Sequence, residues 1–468
     1  MIPADWRAGE VAVVGLAKSG KAASRLLARE GLRVYASDSG TNAAVEKVAA
    51  ELREAGVSVD VGNHDLERIQ AATALVVSPG VPPDAPPIKA ARERSVPIIS
   101  ETELGLLAMP DLRSIAVTGT NGKTTTTALV GHLLRAIGLD ALDAGNIGTP
   151  LTQVALDAPT TWVALELSSF QLHDTPSLKP TVGVVTNLAP DHLDRYASSN
   201  EYYDDKALIY RNDHAGSRWV WNADDPEVMR LPTRRPPVEG QASRSLLGES
   251  WTFSIANDLA SAFYDRAANR LVVLDRPVLD RGDLSLLGDH NVANALAAVL
   301  AVMVADPAHR SPDAIAAITA GLKSFRALEH RLEPVGEFKG VLWINDSKAT
   351  NVSSTLVAVQ GMTRPPILLL GGRHKGEPYT ALAPHIQRVG GQVIAFGESA
   401  ELVEHDLSAL VPVERMGSDF EAVMARAREL AKPGDVVLLS PACSSFDMFD
   451  NYGHRGAEFR RLARGKTA

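Results

Sequence analysis

The sequence predicts an α/β protein built from three domains, each with a parallel or mixed β-sheet. The chain has 468 residues, too many for a single hydrophobic core when domains average roughly 150 residues. Hydrophobic residues make up 45% of the chain and charged residues 22%, the balance of an ordinary globular protein. Short apolar runs alternate with longer amphipathic stretches, a rhythm typical of βαβ units. These observations predict domains at residues 1–101, 102–327 and 328–468.

The apolar runs fall into three blocks, and turn-favouring residues separate them. The first block predicts strands at 11–14, 32–35 and 74–77, with a stiff Pro-rich loop at 81–87. The second predicts strands at 114–118, 162–165 and 182–185. The third predicts strands at 341–344, 367–370, 393–396 and 436–439. This pattern favours Rossmann-like first and third domains.

Charge and cysteine content exclude several classes of function. The formal net charge is -9, which argues against a broad nucleic-acid-binding face, because neutralising phosphates requires an excess of Lys and Arg. A single cysteine, Cys443, can form neither an internal disulfide nor a thiolate metal site, so a reducing compartment fits best. No stretch reaches the roughly 20 apolar residues that cross a bilayer, and the first residues do not resemble a signal peptide. We expect a cytoplasmic protein without a nucleic-acid or membrane partner.

The strongest chemical signal is a glycine-containing loop in the second block. The strand that ends at Thr118 is followed by Gly119, Thr120, Asn121, Gly122, Lys123, Thr124 and Thr125, where a helix begins. Glycines let N–H groups approach a phosphate, the lysine can reach the β/γ oxygens, and a threonine hydroxyl can bind magnesium. Only two residues separate the glycines, so the general Gly-x-x-x-x-Gly-Lys-Ser/Thr motif is not matched, and an incidental turn with a surface lysine is the alternative. The flanking strand and helix favour an ATP-binding loop in a P-loop ATPase-like central domain.

Two further side chains of this block are candidate metal ligands. Glu166 closes the strand at 162–165, and His192 lies just past the strand that ends near Thr186. Ligands collect at the carboxyl ends of the strands in such sheets, so both should lie beside the phosphate loop. A carboxylate and an imidazole form a partial shell for Mg²⁺ or Mn²⁺, completed by water and substrate oxygens. Each residue alone is more often a plain hydrogen-bonding group, but their joint position favours a metal site.

The short loop resembles that of the Mur ligases and their folylpolyglutamate ligase relatives, and further motifs of that family follow in the same order. They are Glu166-Leu167-Ser168-Ser169-Phe170-Gln171-Leu172, the segment 187–194, Lys206, the segment 288–294 and His330-Arg331-Leu332-Glu333. Chance similarity at one motif cannot explain matches that span all three blocks. The resemblance implies an ATP-dependent ligase that activates a carboxylate as an acyl phosphate and joins it to an amine, with Mg²⁺ or Mn²⁺ as cofactor.

The resemblance also implies roles for individual residues. The catalytic residues would be Lys123, His192, Lys206 and Lys348, and the metal ligands Thr124, Glu166, His192 and Lys206. Lys206 would carry a carbamate derived from CO₂; from composition alone, it is a solvated cation on a helix with two acidic neighbours. Asn291, near the start of an alanine-rich helix at 293–304, would contact ATP, as would Arg331 and Asp346. The last two, for which structural salt bridging is the alternative, would reach ATP when the third domain closes and excludes water.

A smaller set of residues indicates the D-glutamate-adding branch of the family. The strand at 341–344 is followed by Asn345-Asp346-Ser347-Lys348-Ala349-Thr350-Asn351, where branches that add other amino acids have a segment ending in proline. The segments 371–376 and 440–447 support the same branch. The resemblance implies that D-glutamate is bound by Thr350, Lys375, Ser445, Phe446 and Tyr452. Cationic and hydroxyl donors suit two carboxylates, and Tyr452 stands where the family commonly has Phe.

The first domain has the turn Gly15-Leu16-Ala17-Lys18-Ser19-Gly20 instead of a full Gly-x-Gly-x-x-Gly motif. In the family this turn binds the uridine diphosphate of a nucleotide-linked sugar. The resemblance implies that UDP-N-acetylmuramoyl-L-alanine contacts Leu16, Ala17, Asp38, Ser39, Gly80, Asn146 and His192. The polar end of the second strand would also suit NAD, so a nicotinamide-dependent oxidoreductase is the chief competing class. A nucleotide-binding module without chemistry also competes, as does another Mur-type or folylpolyglutamate-type ligase, and we expect a monomer.

Overall fold

The computed structural model describes residues 1–146, 148–157, 160–192, 195–234 and 245–465. The chain divides into two compact units. The first comprises Met1–Pro190, Ser198–Arg281 and Ala293–Lys323, and the second comprises Asp191–Ala197, Gly282–Val292 and Ser324–Ala468.

The first sheet is parallel and has five strands in the order β3-β2-β1-β4-β5. Its strands are β1 (Glu10–Val14), β2 (Arg33–Asp38), β3 (Ser58–Val61), β4 (Ala74–Val77) and β5 (Ile98–Ser100). The helices between them are α1 (Lys18–Arg29), α2 (Ala43–Glu54), α3 (Leu66–Gln70) and α4 (Pro86–Glu93). The strand order reverses between β1 and β4, which opens a crevice at their carboxyl ends.

The second sheet is mixed, with the order β14-β13-β12-β11-β10-β9-β6-β8-β7. Its strands are β6 (Arg113–Thr118), β7 (Ala141–Gly145), β8 (Trp162–Glu166), β9 (Val182–Val185), β10 (Arg218–Asn222), β11 (Glu249–Ser254), β12 (Ala262–Asp265), β13 (Arg270–Val273) and β14 (Arg276–Asp280). The accompanying helices are α5 (Glu101–Ala108), α6 (Lys123–Ala136), α7 (Leu151–Asp157), α8 (Ser169–His173), α9 (Ser199–Ala207), α10 (Pro226–Arg230), α11 (Asp289–Ala305) and α12 (Pro312–Ser324). Only the β12–β13 and β13–β14 pairs are antiparallel among the described strands of this sheet.

The third sheet has the order β15-β16-β20-β17-β18-β19, and β15 is antiparallel to its neighbour. Its strands are β15 (Glu333–Phe338), β16 (Val341–Asn345), β17 (Pro366–Gly371), β18 (Gln392–Phe396), β19 (Val413–Arg415) and β20 (Val436–Leu439). The helices are α13 (Val352–Gln360), α14 (Ala383–Arg388), α15 (Ala400–Leu407), α16 (Phe420–Leu430) and α17 (Tyr452–Arg464). The apolar strands β17 and β20 are fully buried between two hydrophobic clusters, one on each face of the sheet.

The predicted strands all form, with ends that differ by up to three residues. The sequence analysis did not identify the partly exposed strands β10 to β14, because they lack the continuous apolar runs of the buried strands. The predicted domain boundaries stay predictions, and each falls between two sheets. In the described parts of the chain, no helix combines the length and hydrophobicity that a membrane crossing requires.

Candidate active site

The predicted ATP loop joins β6 to α6 and requires glycine at two positions. Gly119 (φ 140°) and Gly122 (φ 80°) both have positive φ angles. A Cβ atom on Gly119 would collide with the Thr186 hydroxyl, and one on Gly122 would collide with the Asn294 amide oxygen. Gly122 is the N-cap residue of α6 and has no side chain to occupy the first N–H groups of the helix. This helix end is therefore suited to bind an anion.

The segment after β9 holds the loop in place. The Thr120 N–H donates to the Asn187 carbonyl at 2.8 Å, and the Asn121 N–H donates to Asn187 Oδ1 at 2.8 Å. Thr186 Oγ1 and Asn187 Nδ2 donate to the Asn121 carbonyl at 2.6 and 2.9 Å. Asn187 therefore fixes the loop through both its main chain and its side chain. Sequence reasoning placed this residue in a family motif but gave it no role.

The loop also carries a cation and hydroxyl groups. Lys123 Nζ donates to the carbonyls of Gly119 and Thr120 at 2.9 and 2.7 Å, so its ammonium lies against the loop. Thr124 and Thr125 lie in the first turn of α6 and are 6% and 8% exposed. N–H groups, an ammonium and hydroxyls are the donors that bind a polyphosphate and its magnesium ion.

Glu166 is a buried carboxylate at the carboxyl end of β8. Its side chain is 1% exposed, and Oε1 accepts a hydrogen bond from Asn146 Nδ2 at 2.8 Å. Within the described residues, Oε2 has no hydrogen-bond partner. A buried carboxylate oxygen without a partner is costly unless a ligand such as a metal ion satisfies it. The predicted role of Glu166 as a metal ligand fits this geometry.

Lys206 lies on α9 and is buried, with 1% exposure, so it is not a solvated cation. Its Nζ lies 3.4 Å from Thr118 Oγ1, at the end of β6, and 4.7 Å from the centre of the Tyr202 ring. The Tyr202 hydroxyl lies 3.2 Å from Thr120 Oγ1 in the ATP loop. The amine is thus held beside the strand that leads into the loop.

A cavity of about 860 Å³ opens at the carboxyl ends of β1, β2 and β4. Of the residues predicted to bind the nucleotide-linked sugar, Ala17, Asp38, Ser39, Gly80 and Asn146 line its wall. Leu16 does not line the wall: its side chain is 1% exposed, and its N–H donates to Asp38 Oδ2 at 2.7 Å. Leu16 thus supports the wall through Asp38 and offers its side chain to the core.

The wall also includes Lys18 and Ser19, which belong to the turn predicted to bind the uridine diphosphate but were given no individual role. It includes His64 as well, which sequence reasoning missed. His64 follows β3, which the sequence analysis did not identify, and its Nδ1 lies 2.8 Å from Ser37 Oγ. Burial lowers the pKa of His64, and this lower pKa favours the neutral ring at pH 7. The nearby Asp38 charge acts in the opposite direction and is the smaller effect.

In the second unit, three predicted D-glutamate ligands follow neighbouring parallel strands. Thr350 follows β16, Lys375 follows β17 and Ser445 follows β20, which lies between the other two strands. Lys375 Nζ lies 3.4 Å from Thr350 Oγ1, whereas the Ser445 side chain is buried. Phe446 and Tyr452 are 62% and 37% exposed. The loops therefore place the Lys375 ammonium beside the Thr350 hydroxyl, and the exposed rings of Phe446 and Tyr452 follow Ser445 within a few residues of sequence.

Arg455 ties two of these loops together and was missed by sequence reasoning. Its guanidinium is fully buried and donates to Ser347 Oγ at 3.0 Å, the Ser347 carbonyl at 2.8 Å and the Cys443 carbonyl at 3.1 Å. Burial lowers the pKa of Arg455 to about 10, so the group stays charged at pH 7. A lone arginine on an amphipathic helix gives no sequence signal for such a role.

Two of the predicted nucleotide contacts of this unit, Asp346 and Asn291, make local side-chain hydrogen bonds. Asp346 accepts hydrogen bonds from the Leu332 N–H at 3.1 Å and from Ser440 Oγ at 2.8 Å. Burial raises the pKa of Asp346 to about 7, although these hydrogen bonds and the nearby Arg331 charge oppose the shift. Asn291 Nδ2 donates to the Leu287 carbonyl at 2.8 Å.

Lys348 and His192 also belong to the second unit. Lys348 Nζ lies 5.0 Å from the centre of the Tyr452 ring. His192 has a positive φ of 55° and a side chain that is 38% exposed. Its Nε2 lies 3.8 Å from Asp191 Oδ2, which accepts from Asn351 Nδ2 at 3.2 Å. The sequence analysis placed His192 within the predicted central domain, and in the structure this residue belongs to the second unit.

Comparison with known proteins gives matches along the whole chain. The Mur ligase MurD-like N-terminal domain matches residues 9–100, the Mur ligase middle domain 117–302, and the Mur ligase glutamate ligase domain 330–443. A UDP-N-acetylmuramoylalanine–D-glutamate ligase of Salinibacter ruber is 39% identical over 99% of both chains. The chain belongs to the Mur ligase family. A Chromobacterium violaceum relative of the same name is 40% identical over 97% of both chains.

Solved Mur ligases share this fold. A UDP-N-acetylmuramate-alanine ligase of Thermotoga maritima has a TM-score of 0.60 and 19% identity, covering 96% of this chain and 98% of that chain. MurF of Acinetobacter baumannii has a TM-score of 0.59 and 15% identity, covering 91% of this chain and 89% of that chain. At these identities the likeness concerns the fold alone. The predicted three-domain α/β class is confirmed.

As a Mur ligase, the chain is an ATP-dependent enzyme that forms amide bonds. The competing classes, a nicotinamide oxidoreductase and a nucleotide-binding module without chemistry, are thereby set aside. In this Mur ligase, the ATP loop, Asn146, Glu166 and Lys206 belong to the first unit, whereas Thr350 and the remaining candidate amino-acid ligands belong to the second.

Proposed function

We propose that this Mur ligase joins D-glutamate to the L-alanyl carboxylate of UDP-N-acetylmuramoyl-L-alanine, a step of peptidoglycan precursor synthesis in the cytoplasm. The observation that carries the proposal is the 36–40% identity, along almost the whole chain, to curated relatives named for this reaction. The cavity of the first unit and the loops after β16, β17 and β20 offer chemistry that suits the two substrates.

The residues of the first unit fit ATP and Mg²⁺. Gly122 and the N-terminus of α6 suit a phosphate, and Glu166 Oε2 is a buried oxygen without a partner among the described residues. Among the described residues, no group of three or more acidic, histidine or cysteine side chains is arranged so that it could hold a metal ion by itself. A sparse set of protein ligands suits Mg²⁺, which keeps waters and phosphate oxygens in its shell. We assign Thr124, Glu166, His192 and a modified Lys206 as ligands, and the metal would neutralise charge on the phosphoryl group.

The proposed reaction has two bond-forming steps. An oxygen of the L-alanyl carboxylate bonds to the γ-phosphorus of ATP as the bond to ADP breaks, which yields an acyl phosphate. The D-glutamate amine then attacks the acyl carbon, loses a proton, and phosphate leaves. Lys123 and Lys348 offset the growing negative charge, whereas the fixed loop positions the phosphates. His192 would contact the substrate and a metal ion during this transfer.

The nucleotide contacts of the second unit complete the proposal. Asn291, Arg331 and Asp346 would contact ATP when the domains close, and closure would exclude water from the acyl phosphate. Thr350, Lys375 and Ser445 would bind the D-glutamate carboxylates, with Phe446 and Tyr452 beside them. We propose a monomer, with no nucleic-acid or membrane partner.

We further propose that Lys206 reacts with CO₂ to form a carbamate. The amine is buried, and it lies 3.4 Å from Thr118 Oγ1 and 4.7 Å from the centre of the Tyr202 ring, at the end of the strand that leads into the ATP loop. Lys206→Ala should abolish activity, and short carboxylic acids such as acetate should partly restore it. A Lys206→Ala protein that bicarbonate and short acids never restore would count against the carbamate.

The substrate assignment is tested by phosphate release with ATP, Mg²⁺, UDP-N-acetylmuramoyl-L-alanine and a panel of D- and L-amino acids. We expect D-glutamate alone to support rapid release. Release with another amino acid, and none with D-glutamate, would overturn the assignment but leave the ligase class intact.

A further inference from the structure

Asn146 belongs to two candidate sites at once. It lies on the wall of the cavity of the first unit, and its Nδ2 donates to Glu166 Oε1 at 2.8 Å. The main chain reinforces this link, because the Asn146 N–H donates to the Glu166 carbonyl at 2.9 Å. Gly145, which also lines the cavity, pairs with Glu166 between β7 and β8. The cavity wall at Asn146 is therefore joined to Glu166 by hydrogen bonds of both main chain and side chain.

Close packing holds the Gly145–Asn146 segment of the cavity wall rigidly against Glu166. Gly145 has a φ of 99°, and a Cβ atom there would collide with the Glu166 carbonyl oxygen. The backbone of the cavity wall therefore lies directly against the backbone of the carboxylate residue. A shift of the wall at Asn146 cannot leave Glu166 unchanged, because packed protein interiors transmit small displacements.

The Asn146 amide orients the Glu166 carboxylate. Glu166 is 1% exposed, and Oε2 lacks a partner among the described residues. The two oxygens rotate together, so the hydrogen bond to Oε1 also sets the direction of Oε2. Without the amide donor, the buried carboxylate would lose the hydrogen bond that favours one orientation.

We propose that Asn146 couples binding of the nucleotide-linked sugar in the cavity to binding of Mg²⁺ at Glu166. The inference rests on the proposed function, which assigns these two ligands to the two places. A substrate in the cavity restricts the Asn146 amide, and a metal at Oε2 restricts the carboxylate, so each ligand performs part of the ordering that the other requires. Linkage makes the effect reciprocal: each ligand raises the affinity for the other by the same factor.

The coupling is measured by calorimetry: UDP-N-acetylmuramoyl-L-alanine is titrated into the full chain in the presence of ADP. The ratio of the Kd without MgCl₂ to the Kd at saturating MgCl₂ is the coupling factor. We expect a factor of roughly five or more in the unmodified protein and about one in Asn146→Ala. Asn146→Leu, which is close to asparagine in size and keeps the packing, should also give a factor of about one.

The reciprocal effect is measured by titrating the protein with Mn²⁺, with and without the same substrate, and detecting bound Mn²⁺ by electron paramagnetic resonance. We expect the substrate to raise the Mn²⁺ affinity.

Ser39→Ala is the matched control, because Ser39 lines the same cavity but makes no described contact with Glu166. It should keep the coupling factor of the unmodified protein even where it weakens substrate binding. Chelation of Mg²⁺ by the substrate is common to all variants, so differences between variants report on the protein.

Independent binding of substrate and Mg²⁺ in the unmodified protein would overturn the inference. An unchanged coupling factor in both Asn146 variants would do the same. Equal Mn²⁺ binding by the unmodified protein and by Glu166→Gln would instead refute the metal site of the proposed function. That result differs from metal binding at Glu166 whose affinity is the same with and without the substrate, which would overturn the inference alone.

Discussion

Glu101 and Asp346 are buried carboxyl side chains. Burial raises the pKa of each to about 7, from ordinary values of 4.5 and 3.8, respectively, although hydrogen bonds oppose the shift. The folded protein therefore keeps protons that the unfolded chain has already released between about pH 4 and pH 7. Each group favours the folded state most at low pH, and this contribution is lost as the pH rises through the window.

We predict that Glu101→Gln reduces the loss of stability with rising pH. Glu101 Oε1 accepts from the N–H and Oγ1 of Thr152, and the glutamine oxygen can accept the same bonds. The unmodified protein should lose on the order of 3 kcal/mol more than the variant between pH 4 and pH 8. Urea unfolding across this range measures the difference. Glu54→Gln, on the exposed face of α2, is the control, and equal slopes in Glu101→Gln and the unmodified protein would contradict the prediction.

At Lys123, we predict that replacement by methionine lowers kcat/KM by at least about 100-fold, because the variant lacks a cation preorganised against the phosphate loop. Phosphate release at varied ATP concentration measures the effect. Lys179→Met, an exposed lysine of the same unit, should change kcat/KM by less than about 2-fold. Near-normal activity of Lys123→Met would refute its assigned role.

At the scale of elements, the junction of β6, the ATP loop and α6 is the proposed nucleotide-binding element. Gly122 and Gly138 flank α6 and have similar φ angles, 80° and 83°. A Cβ atom on Gly122 would meet Asn294, whereas one on Gly138 would meet nothing within 4 Å. The two positions therefore separate backbone strain from a steric clash in the loop.

We predict that both Gly122→Ala and Gly138→Ala lose about 1–3 kcal/mol of stability from backbone strain. Only Gly122→Ala should also lose ADP affinity, by at least about 10-fold, because the clash with Asn294 displaces the helix N-terminus that binds the anion. Thermal unfolding and calorimetric titration with ADP measure the two effects. Equal ADP affinity in the two variants would show that the loop tolerates the added methyl group.

The loops after β16, β17 and β20 form the proposed D-glutamate-binding element. We predict that Lys375→Met raises the KM for D-glutamate about 10- to 100-fold, because a charge-assisted hydrogen bond to a carboxylate is lost. The KM for ATP should stay unchanged in the same steady-state assay. Arg373→Met, in the same loop but paired with Glu398 on the surface, is the matched control. A D-glutamate KM that rises equally in both variants would indicate a general disturbance of the loop.

At the scale of the whole molecule, the first unit contains both the cavity and the ATP loop. We predict that UDP at 100 times its Kd stabilises this unit by about 2.7 kcal/mol, through mass action. Ser39→Trp should abolish stabilisation by UDP because the bulky indole obstructs the cavity at its wall, while stabilisation by ADP remains. Urea unfolding with each nucleotide measures both effects. Persistent stabilisation of Ser39→Trp by UDP would place that ligand elsewhere.

The sequence by itself determined the α/β class, the buried strands and the glycine-containing loop between β6 and α6. These features depend on local patterns: apolar runs of strand length, glycines where φ is positive, and a lysine at the start of a helix. The loop Gly119 to Thr124 could therefore be read directly, and family motifs extended the reading to Glu166, Lys206 and the D-glutamate candidates.

Only the tertiary structure decided which side chains face each site. It turned Leu16 into the core, placed Lys18 and His64 on the cavity wall, buried Lys206, and joined Asn146 to Glu166. These outcomes depend on strand order and on contacts between residues far apart in the chain. Local sequence patterns carry no direct record of such pairings, because the physical partners meet only when the sheets assemble.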